Sequence, residues 1–184
     1  MHKLKNPVRL IKLNHMKIEN SNLTDLIKIF DLYKIATDYM KSKNQVYWPV
    51  FSKELIINEI EENRQWKLLI NGQIAFIWST ALNDELIWGN KSKEPSLYIH
   101  RIATNPEFRG QNLVKKLIDW ANEFGKKKKI KYIQMDTVGF NKGLIGHYKK
   151  LGFDFLGTKE IENTDGLPEH YKEGEVCYFQ KEII

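Results

Sequence analysis

The chain has 184 residues, a formal net charge of +6 and a sequence pI near 9.2. Its 42% hydrophobic and 28% charged residues suit a globular domain with a sizeable core and exclude disorder over most of the length. No run approaches the ~18 apolar residues of a membrane span, and the single cysteine, Cys177, excludes an intrachain disulfide and a Cys-rich zinc site.

In chain order, Met1-His2-Lys3-Leu4-Lys5 is basic but no apolar h-region follows, so no signal peptide and a cytoplasmic location are expected. Val8 to Leu13 reads as a first strand. Asn20-Ser21-Asn22 supplies cap-type side chains ahead of an amphipathic helix. Its Leu23, Leu26, Ile27, Phe30, Tyr33 and Ala36 fall at helical spacing. An aromatic loop, Tyr47-Trp48-Pro49-Val50-Phe51, precedes a second helix capped by Ser52, with Leu55, Ile56 and Ile60 on one stripe. Trp66 to Ile70, Asn71-Gly72 and Ile74 to Thr80 predict a hairpin, because Asn-Gly tolerates the positive φ angles of a type I′ turn.

After a loop holding Trp88 and Gly89, Leu97 to Ala103 reads as a strand. Asn112 to Phe124 follows as a helix with Leu113, Val114, Leu117, Ile118 and Ala121 facing inward. Ile130 to Val138 is a strand whose apolar centre suggests cover on both faces. The spacing of Leu144, Ile145, Tyr148 and Leu151 predicts a short helix from Lys142 to Leu151. Gly152 suits its C′ position, and Lys149 and Lys150 its last turn. Phe153 to Leu156 and Val176 to Lys181 close the chain as strands, with Cys177 a small buried filler. The order β-α-α-β-β-β-α-β-α-β-β predicts one α/β domain over residues 1–184, a mixed sheet with helices on both sides.

The basic charge invites a nucleic-acid reading. Its densest cluster, Lys126 to Lys129 with Lys131, follows a predicted helix, where cations complement the negative helix end. No aromatic interleaving or nucleic-acid motif accompanies it, so neither a nucleic-acid nor a membrane partner is expected. A basic face also attracts a phosphorylated cofactor. The five histidines are scattered, with no Cys or carboxylate at ligand spacing, and no metal site is read.

The segment most informative for chemistry is Ile102-Ala103-Thr104-Asn105-Pro106-Glu107-Phe108-Arg109-Gly110-Gln111-Asn112-Leu113-Val114. A strand ends, a turn follows and a helix begins. Backbone N–H groups at a helix start lack intrahelical partners and lie at the positive end of the macrodipole, a ready site for a pyrophosphate. A second segment places Asn141 ahead of Tyr148-Lys149-Lys150-Leu151-Gly152-Phe153.

With both segments in view, the stretch from about Leu97 to Leu156 resembles the GNAT superfamily of N-acetyltransferases. The resemblance implies a GNAT-like acyl-CoA N-acyltransferase fold, a mostly antiparallel mixed sheet, with acetyl-CoA as co-substrate. In this family an Arg/Gln-x-x-Gly-x-Gly/Ala turn binds the coenzyme A pyrophosphate through its amides. Arg109 and Gly110 match its opening, Asn112 replaces its first glycine, and Val114 replaces its final Gly or Ala. Asparagine visits left-handed conformations readily, whereas the branched valine is a departure placed beside the phosphates. The resemblance assigns Arg109, Gly110, Gln111, Asn112, Leu113, Val114 and Lys115 to the pyrophosphate. It assigns Ile102, Ala103 and Thr104 to the pantetheine arm, by strand addition at an edge that a bulge would open. Asn141 is to contact the cofactor and Tyr148 to face its sulfur.

Transfer to an amine needs a group that takes a proton and one that returns a proton to the leaving thiolate. A phenol with a pKa of about 10 suits Tyr148 as general acid, and a backbone N–H of the Ile102–Thr104 strand suits the developing oxyanion. Asp136, at the end of the next strand, is the first candidate base, and some relatives carry a carboxylate there. His100 is the second, since imidazole titrates near neutrality. On a regular strand Tyr98, His100 and Ile102 share one side, opposite Leu97, Ile99 and Arg101.

Family members flank the acceptor with the loop between the first two helices and the last hairpin, here Tyr47 to Phe51 and Lys159 to Gly174. The second stretch carries Glu160, Glu162, Asp165, Glu169 and Glu173, which favours a cationic small-molecule or peptide amine. The alternative is a non-catalytic acyl-CoA-binding or sensor module whose phosphate turn is degenerate at Val114. A homodimer is left open.

Overall fold

The computed structural model describes residues 15–89 and 94–184. The predicted strand Val8–Leu13 lies outside the described residues, and the first described strand is β1, Met16–Asn20. There follow α1 (Leu26–Ser42), α2 (Lys53–Glu61), β2 (Gln65–Ile70), β3 (Gln73–Ala81), α3 (Glu85–Trp88) and β4 (Ser96–Thr104). Then come α4 (Leu113–Lys128), β5 (Tyr132–Val138), α5 (Lys142–Lys150), β6 (Asp154–Lys159) and β7 (Val176–Glu182). The short α3 falls where the sequence predicts only a loop.

Local chemistry sets the boundaries. The Asn22 side chain accepts from Thr24 N at 2.9 Å while Asp25 Oδ2 accepts from Asn22 N at 2.8 Å, a capping box at a 3₁₀ turn over Leu23–Asp25. Because that turn has a tighter pitch, the α-helical register starts at Leu26. The inward stripe then falls on Ile29, Leu32 and Tyr33, and the predicted Leu23 and Ile27 are 55% and 78% exposed. Ser52 Oγ accepts from Leu55 N at 3.1 Å at the start of α2. Asn71 and Gly72, at φ 51° and 81°, make the predicted hairpin turn between β2 and β3. Helix α4 runs past the predicted Phe124, carrying Lys126, Lys127 and Lys128 in its last turn, and Lys129 ends it in a left-handed conformation. Lysine is a good helix former and is favoured at the negative helix end, so the lysine run extends the helix rather than following it.

One seven-stranded sheet has the order β1-β2-β3-β4-β5-β7-β6, in which β4 and β5 are parallel and every other pair is antiparallel. Helices α4 and α5 pack Leu117, Ala121 and Tyr148 onto Phe76, Trp78, Leu97 and Ile99 on one face. Helices α1 and α2 pack Ile29, Leu32 and Ile56 onto Ile77 and Ala103 on the other.

Two features of β4 position the site. First, its parallel pairing with β5 stops at Ile99↔Met135, although β4 continues to Thr104 and β5 to Val138. The ends splay apart, β4 staying with β3 and β5 with β7. Second, Ser79 pairs with His100 but Ile77 pairs with Ala103, so Arg101 and Ile102 together oppose Trp78. This is a β-bulge, with Arg101 at φ 49°. The bulge resets the alternation. Arg101 joins His100 on the α1/α2 side, where it meets Glu59, and Ile102 turns to the α4/α5 side, so the regular-strand expectation fails at both Arg101 and Ile102.

Candidate active site

The splayed ends of β4 and β5 open into a cavity of about 1260 Å³. Its wall includes His100 to Thr104 from β4, Asp136 to Val138 from β5, Arg109, Asn141 and Tyr148. Trp48 and Phe51 of the aromatic loop, and Gly166 to Pro168 with Tyr171 of the last connection, complete it. The two segments that the resemblance places around an acceptor therefore both reach the cavity. The acidic side chains of the second do not: Glu160, Glu162, Asp165, Glu169 and Glu173 are absent from this wall. The carboxylates that line it are Glu59, Asp84 and Asp136.

At one end is the turn into α4, from which Arg109 lines the cavity, whereas Gly110, Gln111, Asn112, Leu113, Val114 and Lys115 are not part of its wall. Asn105 Oδ1 accepts from Glu107 N at 3.3 Å in a 3₁₀ turn over Pro106–Phe108, and the Arg109 guanidinium sits 5.0 Å from the Tyr39 ring centre. Gly110 and Asn112 are both left-handed, at φ 78° and 54°. Asparagine is among the few residues that take this conformation at small cost, which explains how it stands where a glycine belongs. Leu113 is buried in the α4/α5 core and Val114 packs against the same core, so the valine side chain is committed to packing. Among the described residues, no turn or cap bond uses the amides of Leu113 and Val114. The Lys115 amide donates to Asn112 O at 3.1 Å, and its ammonium pairs with Asp119 at 2.9 Å. Gln111 is exposed on the turn. An unpaired amide pair at the start of a 16-residue helix fits an anionic phosphate.

Further in, Asn141 is the N-cap of α5, its Oδ1 accepting from Leu144 N at 3.0 Å. Tyr148 lies one helix length on, 7% exposed, with its ring 5.0 Å from Phe179 and 5.8 Å from Phe153. Burial, and then the nearby Asp136 charge, push its phenol up to about 12. It therefore stays protonated at neutral pH.

Across the cavity three groups from distant parts of the chain converge. His100 Nε2 lies 3.4 Å from Asp84 Oδ2, and His100 Nδ1 lies 3.7 Å from Asp136 Oδ1. One ligand-type atom from each of Asp84, His100 and Asp136 falls within 4.8 Å of the others. Spacing along the sequence concealed this, because the three residues come from the α3 corner, β4 and β5. Asp136 Oδ2 accepts from Tyr171 Oη at 2.6 Å. Burial pushes Asp136 up to about 6, and burial with the Asp136 charge pushes Asp84 up to about 7. Burial and the neighbouring Arg101 hold His100 down at about 3, so it is neutral. Asp84 and Tyr171 carried no signal in the sequence beyond a cap-type residue and an aromatic in a polar loop.

Comparison with known proteins places the fold in a family. Residues 29–153, more than half of the chain, match the profile of the acetyltransferase (GNAT) family. A 78-residue stretch is 32% identical to the uncharacterized N-acetyltransferase YesJ of Bacillus subtilis (strain 168), covering 41% of this chain and 42% of that protein. The matched stretches span less than half the length of the curated relatives. A GNAT-family acetyltransferase from Listeria monocytogenes 4b F2365 superposes with a TM-score of 0.73 at 23% identity, over 91% of this chain and 94% of that one. The yncA protein of Salmonella typhimurium, solved with its cofactor acetyl-CoA, superposes with a TM-score of 0.64 at 13% identity, over 92% and 94%. On the strength of the profile match, the chain belongs to the acetyltransferase (GNAT) family.

Proposed function

We propose that the chain is an acetyl-CoA-dependent N-acetyltransferase that acts on a primary amine. The observation that carries this reading is one continuous cavity. It runs from Arg109, in the turn that precedes the free amides at the start of α4, along the splayed edge of β4 to the Tyr148 phenol and the buried Asp136. Bound there, acetyl-CoA would supply an acetyl thioester.

The residues of the chain then divide the work. The Leu113 and Val114 amides, with Arg109, Gly110 and Gln111 of the turn, hold the pyrophosphate at the positive helix end. The β4 edge from Ile102 to Thr104, left without a β5 partner, offers backbone groups to an extended arm and an N–H to a developing oxyanion. Asn141 holds the start of α5, and so the position of Tyr148. Tyr148 holds its proton at neutral pH and donates it to the departing sulfur. The amine's proton goes to the opposite wall. A buried imidazole held near 3 is a weak base at neutral pH, which favours the carboxylates of the cluster over His100. The rival reading, a binding module with a spoiled phosphate turn, rested on Val114, whose side chain packs on the core.

The test is release of the coenzyme A thiol from acetyl-CoA in the presence of a panel of primary amines. Amine-dependent release that Tyr148→Phe reduces supports the enzyme. Acetyl-CoA binding without release for any amine favours the binding module.

A further inference from the structure

The cavity wall holds a carboxylate that the sequence did not single out. Asp84 occupies the N-cap position of α3, yet its side chain makes no capping hydrogen bond. Its Oδ2 is buried and unpartnered, 3.4 Å from His100 Nε2. Beyond the ring, Asp136 Oδ1 is also unpartnered, on a side chain only 2% exposed. Two orphaned carboxylate oxygens in one water-poor corner are costly unless a cationic donor visits them. Arg101, the nearby cation, is already engaged with Glu59 and Ser79.

The two carboxylates are not equivalent. Asp136 receives a 2.6 Å hydrogen bond from Tyr171, which favours its ionised form. Asp84 receives none and faces the Asp136 charge across the neutral imidazole. A pair of acids whose surroundings separate them in this way divides into one fixed charge and one proton carrier.

We propose that Asp84 is a further catalytic residue, the carboxylate that takes the proton from the acceptor's ammonium group, while Asp136 remains ionised beside it. The proposal rests on the acetyltransferase reading. In the step, one N–H bond of the ammonium breaks, an O–H bond forms on the Asp84 carboxylate, and the lone pair left on nitrogen becomes the nucleophile. The proton later passes from Asp84 to water. Groups facing Asp84 are His100 on β4, Asp136 on β5, Tyr178 on β7 and Tyr171 on the last connection. None of these is a cation at neutral pH, and the two cations that act on His100, Arg64 and Arg101, are both paired with Glu59. Its elevation to about 7 matches what a base working near neutrality requires.

The experiment compares Asp84→Asn with the parent protein on two acceptors. n-Butylamine is protonated at pH 7 and needs a base, whereas 2,2,2-trifluoroethylamine is unprotonated there and does not. The expected result is a loss of roughly 100-fold or more in kcat with butylamine, a far smaller loss with trifluoroethylamine, and unchanged acetyl-CoA affinity. Equal losses on both amines, or no loss on either, overturn the proposal. If the parent acetylates neither amine, the carboxyl ¹³C resonances of the protein still decide it. Asp84 titrating near 7 and above Asp136 sustains the assignment, and Asp84 titrating as an ordinary carboxyl overturns it. Absence of transfer to any amine would instead count against the acetyltransferase reading itself.

Discussion

Arg101, the residue at which β4 bulges, is ion-paired with Glu59 of α2. Its guanidinium also donates to Ser79 Oγ at 2.8 Å and lies 5.2 Å from the Phe51 ring centre. A left-handed backbone at a non-glycine residue is strained, and it persists where its surroundings over-determine it. Here a salt bridge, a hydroxyl and an aromatic face hold the side chain, and the same bulge helps to separate β4 from β5.

Glu59→Ala therefore leaves a buried guanidinium without its partner. Urea unfolding should show a loss of about 3–5 kcal/mol. Glu59→Gln, which keeps an acceptor oxygen, should lose less. A loss for Glu59→Ala below about 1 kcal/mol would mean that the ion pair does not hold the bulge.

The acidic corner makes stability depend on pH in a defined sense. Asp84 is raised to about 7 in the folded protein, against roughly 3.9 in an unfolded chain. Between those values the folded state binds the extra proton, so this group's contribution to stability falls as pH rises. His100, held near 3 against roughly 6.5 unfolded, acts in the opposite sense over that lower window. Above pH ~6.5 only the carboxylates remain, and stability declines. Asp84→Asn should accordingly gain more over the parent at pH 8 than at pH 5, by about 2–3 kcal/mol in urea unfolding. An equal difference at both pH values would contradict the elevation.

Val114 separates packing from phosphate contact. Because its side chain lies against the α4/α5 core, Val114→Ala should cost about 1 kcal/mol of stability. Acetyl-CoA affinity should stay within about two-fold, since the amide is unchanged. A tenfold gain in affinity would show instead that the valine crowds the phosphates.

Tyr148→Phe removes one hydroxyl and little else, as the ring's contacts with Phe153 and Phe179 remain. Thiol release should fall by roughly 100-fold with acetyl-CoA affinity and stability nearly unchanged. Full retention of activity would remove Tyr148 from the mechanism.

Much of this was legible in the sequence where the signal is local. The Asn71-Gly72 turn, the Ser52 cap, the Gly152 helix end and the strand-turn-helix at Thr104–Leu113 are each encoded within a few residues, and all occur as read. Of the α1 stripe, Leu26, Phe30, Tyr33 and Ala36 pack on the core as read, while Leu23 lies in the 3₁₀ turn and is exposed with Ile27. Arg101 looked like an ordinary strand residue, and its left-handed conformation occurs beside an ion pair with Glu59, 42 positions away. Asp84 became meaningful only when the fold brought it beside His100 and Asp136. The chemistry of that corner is a long-range property, and no spacing motif announces it.

The most direct test of the central claim is calorimetric titration with acetyl-CoA of the parent protein and of Gly110→Asp. At Gly110, φ is 78° with open space around a would-be Cβ, so the variant adds chiefly backbone strain and a negative charge beside the α4 amides. Saturable one-to-one binding by the parent is expected, weakened at least tenfold in the variant while the fold persists. No binding by the parent, or equal binding by both proteins, would contradict it.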